Sequence, residues 1–420
     1  MHQKYPALFL TLLFCGLAQA APAIELKDGD NRIVFLGDGL VEQAQFSGYI
    51  ETRLASRFPD RRLICSNLGW SGDDVWGSAR TAGYQNPAKI ERLKKETSAL
   101  KPDIIFVGYG LDESFAGPEG LAGFVEGYNQ LLAILEKLTP RLVLLSPPFA
   151  EDLGRPLPDQ VEHNRDAEQY TAAIKAIADE RHLPFVDLYH PLVEAKRANP
   201  AVRLTHNGIL LNESGYWIAA MEIEKQLGLS AGPTHLAVTS DGKVVSSSGL
   251  KAGKVEVGPQ GVRLDAVGEH LPAPAAPGPI AKVAEAMEPA PVLQVAGLGA
   301  GDWVLTIDGK PVATASAAQW NSGVPIAGGP DAEQVEKLRT LVAQRNDLYY
   351  RRWRPFNDHS RHWTYIGGDF ALYDQAVTIV DQQIADLARP VAHSYSVTPS
   401  RDEGGEGAGI AAHPSGRGGK

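Results

Sequence analysis

The side chains able to do chemistry gather in a few short stretches of the 420-residue sequence. The run Ile33-Val34-Phe35-Leu36 stops at Gly37-Asp38-Gly39-Leu40. Further on come Asn67-Leu68-Gly69-Trp70-Ser71-Gly72, then Gly108-Tyr109-Gly110-Leu111-Asp112-Glu113, and finally Leu204 to Tyr216, which holds His206, Asn207, Leu210 and Asn212. Together they supply carboxylates, one imidazole that could titrate near neutral pH, and glycines whose bare backbone can present N–H donors to a developing negative charge. The acidic and imidazole members suit acid–base work or nucleophilic attack by a carboxylate.

These stretches need elements to carry them. Apolar strand-like runs at Ile33 to Leu36, Leu63 to Asn67, Ile104 to Tyr109, Leu142 to Ser146 and Phe185 to Asp187 alternate with helical patterns at Phe46 to Phe58, Pro87 to Leu100, Leu121 to Leu138 and Val161 to Arg181. Phe46, Tyr49, Ile50, Leu54 and Phe58 share one face of a helix of period 3.6. A last helix, Glu213 to Gln226, closes the unit. Regular βα alternation predicts an α/β fold, a parallel sheet with helices on both faces, and ligand-facing loops at the carboxyl ends of the strands.

In that order and spacing, the four stretches over residues 31–228 resemble the blocks of the SGNH hydrolases, the GDSL-type esterase and lipase family. The resemblance implies a flavodoxin-like three-layer sheet and a serine mechanism. The first block would supply the nucleophilic serine, the second an oxyanion-hole glycine, the third an oxyanion-hole asparagine, and the last an Asp-x-x-His pair that activates the serine. Gly72 matches the glycine. Gly39 stands at the serine, Asp112 at the asparagine, Asn207 at the aspartate and Leu210 at the histidine. A leucine cannot accept a proton, and an ionised aspartate cannot donate to an oxyanion. The candidates for substitute chemistry are Asp38, Ser71 and His206. The bland readings set against them are a loop hydrogen bond for Asp38, a strand-end carboxylate or helix cap for Asp112, and a surface position for His206. Asn67 and Asn212 join Asp38 in a polar crevice.

A second concentration is Tyr349 to Trp363, where Trp353, Phe356 and Trp363 interleave with Arg351, Arg352, Arg354 and Arg361. Trp353 and Arg354 are candidates for ligand contact through stacking or bidentate pairing, against an alternative role in packing. His359-Ser360-Arg361-His362 lacks a nearby third ligand, so no metal site is expected, and no cofactor is implied. The looser resemblance here is to exported proteins in which an SGNH-like domain precedes a hairpin-rich insert and an Arg-Trp-Arg-Pro segment.

The remaining organisation follows from composition. His2 and Lys4, an apolar run from Tyr5 to Leu17 and Ala18-Gln19-Ala20 read as a signal peptide over residues 1–20, which predicts a periplasmic or extracellular protein. Cys65 is then the one cysteine left in the mature chain and is expected to be inert. No later stretch approaches the length of a membrane span. A net charge of −10 argues against a nucleic-acid partner. Residues 230–330 are expected to form a β-rich, sandwich-like insert, with Ser240-Asp241-Gly242-Lys243 and Ile307-Asp308-Gly309-Lys310 as hairpin turns and the Pro/Ala-rich 272–279 as a linker or exposed loop. Residues 331–398 are expected to be helical around the Arg/Trp loop, and 399–420 a disordered tail.

These features lead to an exported SGNH-fold protein that has lost the serine mechanism and binds a carbohydrate or acyl-ester ligand. The rivals are an active ester hydrolase with an unusual base or nucleophile, and an envelope scaffolding protein. Oligomeric state is not encoded in any of these features.

Overall fold

Ile33, Val34, Phe35 and Leu36 are all buried, so the strand that carries them is covered on both faces. In the computed structural model, which describes residues 24–80, 88–354 and 370–400, this strand is β1 (Asp30–Gly37). It lies inside a parallel sheet with β2 (Arg62–Asn67), β3 (Ile104–Gly108), β4 (Leu142–Leu145) and β5 (Phe185–Val186), in the order β2-β1-β3-β4-β5. The order reverses at β1, so the crevice between the ends of β1 and β3 is where a ligand is expected.

Alternation along the strands assigns each face. Ile33, Phe35, Ile104 and Phe106 pack with Tyr49, Leu54 and Trp217, whereas Val34, Leu36, Ile105 and Val107 pack with Tyr128, Leu131 and Ile174. The covering helices are α1 (Gly39–Ser47), α2 (Tyr49–Arg57), α3 (Ala88–Ala99), α4 (Gly117–Leu135), α5 (Val161–Arg181), α6 (Tyr189–Ala198) and α7 (Glu213–Gln226). This is the expected three-layer α/β fold.

One expected helix, Phe46 to Phe58, is two. Gly48 takes a left-handed conformation (φ 66°) that ends α1 and starts α2 at an angle. Phe46 consequently leaves the apolar face and is 54% exposed. Helix α6 was hidden by its mixed composition, with Tyr189 and Leu192 as its buried residues.

The first compact unit also takes Glu269–Pro289 and Asp331–Val391. The Pro-rich 272–279 therefore packs instead of linking. Pro274 O accepts from Trp217 Nε1 at 3.0 Å, and Ala275 N donates to Glu336 at 2.7 Å. An extended proline-rich backbone has no internal hydrogen bonds and leaves its polar groups free for such contacts. After α8 (Ala281–Met287), helices α10 (Pro330–Trp353) and α11 (Phe370–Leu387) complete this unit. They are joined by the buried Arg345–Asp381 pair at 2.8 Å, and Asn346 Nδ2 reaches Gln45 O and Glu51 in the first helices.

The second unit, residues 233–268, 290–330 and 392–400 of those described, is β-rich. Strands β6 (His235–Thr239), β7 (Val244–Ser248), β11 (Val292–Ala296) and β14 (Val324–Pro325) form one sheet. The other comprises β8 (Leu250–Ala252), β9 (Glu256–Gly258), β10 (Gly261–Gly268), β12 (Asp302–Ile307), β13 (Lys310–Ser316) and β15 (Ala392–Pro399), and α9 (Ala317–Ser322) follows β13. Leu236, Val238 and Val295 of one sheet share a core with Leu264, Leu305 and Val397 of the other. Both expected turns are present, with Gly242 at φ 96° and Asp308-Gly309 at 50° and 78°. The strand β15 replaces the end of what was expected as a helical segment: His393, Tyr395 and Val397 alternate toward the interior, a period-2 pattern too short to stand out beside α11. The expected signal peptide, the segment Pro355 to Trp363 and residues 401–420 of the tail lie outside the described residues. Among the described residues no helix is long and apolar enough to cross a membrane.

Candidate functional site

Asp38 ties the first loop together. Its Oδ1 accepts from Leu40 N at 2.9 Å and so caps α1, and its Oδ2 accepts from Leu111 N at 3.1 Å, stitching the first loop to the third. The residue is 1% exposed. Burial, then the charges of Asp112 and Glu113, push its carboxyl well above the usual range against the pull of the two backbone donors. With both oxygens engaged, Asp38 is the loop brace and not an available nucleophile.

Gly39 opens α1, and the space its side chain would fill is contested. A Cβ there would lie 2.9 Å from Leu210 Cδ2 and 3.4 Å from Ser71 Oγ. Gly39, Leu210 and Ser71 therefore converge, as the block register requires. The place of a base is taken by a methyl group.

The second loop is held from inside. Asn67 Nδ2 donates to Val41 O at 2.7 Å and its Oδ1 accepts from Gly69 N at 2.8 Å, so this expected ligand-binding residue is 3% exposed and spent on backbone. Gly69 must be glycine, since a Cβ would sit 2.2 Å from Glu42 N. Gly72, at φ 80°, has nothing within 4 Å of where a Cβ would be and faces open space. Below it, Asp73 forms a buried pair with Arg80 at 2.7 Å and accepts from Tyr109 Oη at 3.0 Å.

Arg354 comes to this loop from the end of α10. Its guanidinium carbon stands 3.4 Å from the centre of the Trp70 ring, and Nη2 pairs with Glu42 at 3.1 Å. Glu42 in turn accepts from Ser71 N at 2.8 Å. Desolvation lowers the guanidinium's affinity for its proton, with Glu42 opposing. Trp353 is buried edge-on against Trp70, which makes it a packing residue.

The third loop carries Asp112 and Glu113. Glu113 accepts from Val75 N and Gly110 N, both at 2.9 Å, linking the second and third loops, and burial pushes its carboxyl up to about 8. Asp112 precedes a short 3-10 turn without capping it. Burial raises its carboxyl to about 6, with Asp73 and Asp74 acting in the same direction, while the N–H of Gly72 favours the charged form. Gly72, at the position where the family has its oxyanion-hole glycine, thus faces the Asp112 carboxyl.

The last loop is pinned by Glu151. Its Oε2 accepts from Leu204 N, Thr205 N and Thr205 Oγ1, and its Oε1 pairs with Lys196 at 2.7 Å. Asn207 Oδ1 accepts from Ile209 N and Leu210 N, so the side chain at the family's aspartate position builds a turn. His206 is exposed, and its N–H bonds Leu210 O at 2.8 Å in the same turn; Leu210 is the residue set against Gly39. Buried Cys65 has its thiol pushed up by burial and is unreactive. Glu42 and Glu151 escaped sequence reasoning because each acts across 29 to 53 residues of chain on backbone atoms, which leave no motif. Among the described residues no cluster of three or more His, Cys, Asp or Glu could hold a metal.

A family model of the GDSL-like lipase/acylhydrolase family matches residues 35–218. No curated protein sequence matches the chain. Among solved structures, the gut microbial diltiazem-metabolizing enzyme BT4096 aligns with a TM-score of 0.73 and 16% identity, covering 90% of this chain and 100% of its own. Axe2, an acetylxylan esterase from Geobacillus stearothermophilus, aligns over 48% of this chain and 97% of its own, at 19% identity and a TM-score of 0.39. At such identities the likeness is one of fold. With the sheet order, the four loops and the family match in agreement, residues 35–218 form a domain of the GDSL-like lipase/acylhydrolase type, with the SGNH hydrolase fold.

Proposed function

We propose that this is an exported SGNH-fold protein whose crevice binds a carbohydrate or acyl-ester ligand without hydrolysing it through the serine mechanism. The observation that carries the reading is the packing of Leu210 Cδ2 into the space beside Gly39, which removes both nucleophile and base from one point. A triad works as a unit, so losing both leaves at most the small residual effect of binding and backbone donors. Export is supported by the charged start, apolar run and Ala18-Gln19-Ala20 of the sequence, and a mature amino terminus at Ala21 is the expected outcome of secretion.

A fluorophosphonate probe tests the reading directly. The native protein should stay unlabelled in the crevice and should not turn over aryl acetates. The alternative of an active ester hydrolase has one observation in its favour, the exposed Ser71 hydroxyl beside the vacant Gly39 position. Labelling or turnover that vanishes in Ser71→Ala would establish that alternative and remove the binding-only reading.

A further inference from the structure

We propose that Phe115 and Trp76 are stacking platforms for the rings of a neutral glycan at the rim of the crevice, which selects a carbohydrate over an acyl ester as its ligand. The inference rests on the reading of the crevice as a binding site that does not hydrolyse.

Among the described residues the phenylalanine and tryptophan rings left exposed are Phe46, Trp76 and Phe115. Phe46 sits at the far end of α1 against Tyr350. The other two stand on the loops that carry the second and third blocks, Trp76 40% exposed and Phe115 56% exposed. Glu113 clamps those loops to each other, accepting from Val75 N, next to Trp76, and from Gly110 N, both at 2.9 Å. Both open rings therefore rise from one braced pair of loops.

Each ring is seated on something firm. Phe115 lies on the His163 imidazole, with centroids 3.9 Å apart and planes inclined by 17°. His163 belongs to the first turn of α5, and its neighbour Asn164 exchanges two hydrogen bonds of 2.8 Å with the Ala150 backbone. The next residue, Glu151, bonds Gly208 O through its own N–H at 2.7 Å, so the stack is built into the frame that holds the last loop. Trp76 lies against α4 at Gly127, where a Cβ would fall 2.6 Å from the indole, and its backbone N–H donates to Asp74 at 3.0 Å. Rings positioned in this way without a ligand lose little freedom when one arrives.

Shape and polarity decide the occupant. A flexible acyl chain sheds its water only where apolar walls surround it, and a flat ring offers one face. A sugar ring matches that face, because its C–H hydrogens meet the negative π surface while its hydroxyls point outward from the edge. The Trp76 loop also presents the exposed Ser71 and the backbone of Gly72, which opens onto free space, as polar partners for those hydroxyls. Asp74 and Asp112 give the same two loops negative charge, which disfavours an anionic glycan and leaves a neutral one.

The test uses the full chain and hexasaccharides of β-1,4-linked glucose, xylose, mannose and N-acetylglucosamine, titrated calorimetrically at neutral pH. At least one should bind. Phe115→Ala and Trp76→Ala should each weaken that hexamer about tenfold, the worth of a stacked ring. Phe115→Tyr and Trp76→Phe keep a flat ring and should retain most of the affinity, whereas Phe115→Leu, which keeps apolar bulk alone, should not. Phe46→Ala removes an exposed ring elsewhere and should change nothing. Native affinity in either alanine variant, or in Phe115→Leu, overturns the inference and leaves the crevice standing as a binding site. Binding of none of the four hexamers overturns it too, and methyl acetate titrated by NMR then decides separately whether the crevice binds acyl esters. Should an alanine variant fail to fold, the comparison of Phe115→Leu with Phe115→Tyr decides: equal affinities rule the inference out.

Discussion

Leu210 Cδ2 stands 2.9 Å from the point where a side chain on Gly39 would begin, so the leucine at the family's base position crowds any side chain restored at its nucleophile position. Gly39→Ser alone should give no aryl-acetate turnover. Because the clashing atom is the end of a flexible side chain, the substitution should cost only about 1 kcal/mol, the low end of overpacking. Activity should return only when Leu210→His, Asn207→Asp and Asp112→Asn accompany it. Initial-rate assays on the single and quadruple variants, with thermal melts of each, check both statements.

Glu113 predicts an alkaline loss of stability. Its folded carboxyl holds a proton up to about 8, while the unfolded chain releases it near 4.5, so the folded state binds more protons across that window. Stability therefore falls as pH rises through it, by at most about 1.4 kcal/mol per unit, and levels off above 8. Urea titrations between pH 6.5 and 9 should show the decline, and Glu113→Gln should flatten it.

Arg354 should prove a brace for the second loop. Replacing it by Ala removes a stacked cation and leaves the nearly buried Glu42 without its charge partner, at a cost of about 2 kcal/mol or more. Arg354→Lys should rescue little of this, since an ammonium cannot lie flat on Trp70 and reach Glu42 together. Denaturant midpoints for the two variants provide the comparison, and equal stability of Lys and native proteins would count against the stacking.

Glu151→Gln should loosen the last loop without unfolding the unit. A neutral amide accepts fewer of the hydrogens now held by one carboxylate and abandons Lys196. Hydrogen exchange at Leu204, Thr205 and His206 should accelerate about tenfold or more, the equivalent of about 1.4 kcal/mol, while β1 and β3 stay protected.

The sheet and the convergence of Gly39, Gly72, Asp112 and Leu210's loops were legible because strand periodicity and loop glycines are local signals. The break at Gly48 was not, since the apolar positions on either side keep helical spacing across it, and only the left-handed glycine reveals the turn. Asn67 and Asp38 looked like ligand contacts because residue type says nothing about which backbone N–H is near; the structure turns both inward. Trp353 and Arg354 had equal standing in sequence, yet one is enclosed and the other reaches Ser71's support through Glu42. Tertiary contacts of this reach leave no trace in spacing.

Strand β15, Ala392–Pro399, lies between β10 and β12, in the interior of its sheet although it is the last element among the described residues. During synthesis the gap between β10 and β12 must therefore stay open, their facing edges unpaired, until residues 392–399 leave the ribosome. A premature stop anywhere before residue 392 removes a middle strand and not a dispensable end, and should yield a chain that fails quality control and is degraded.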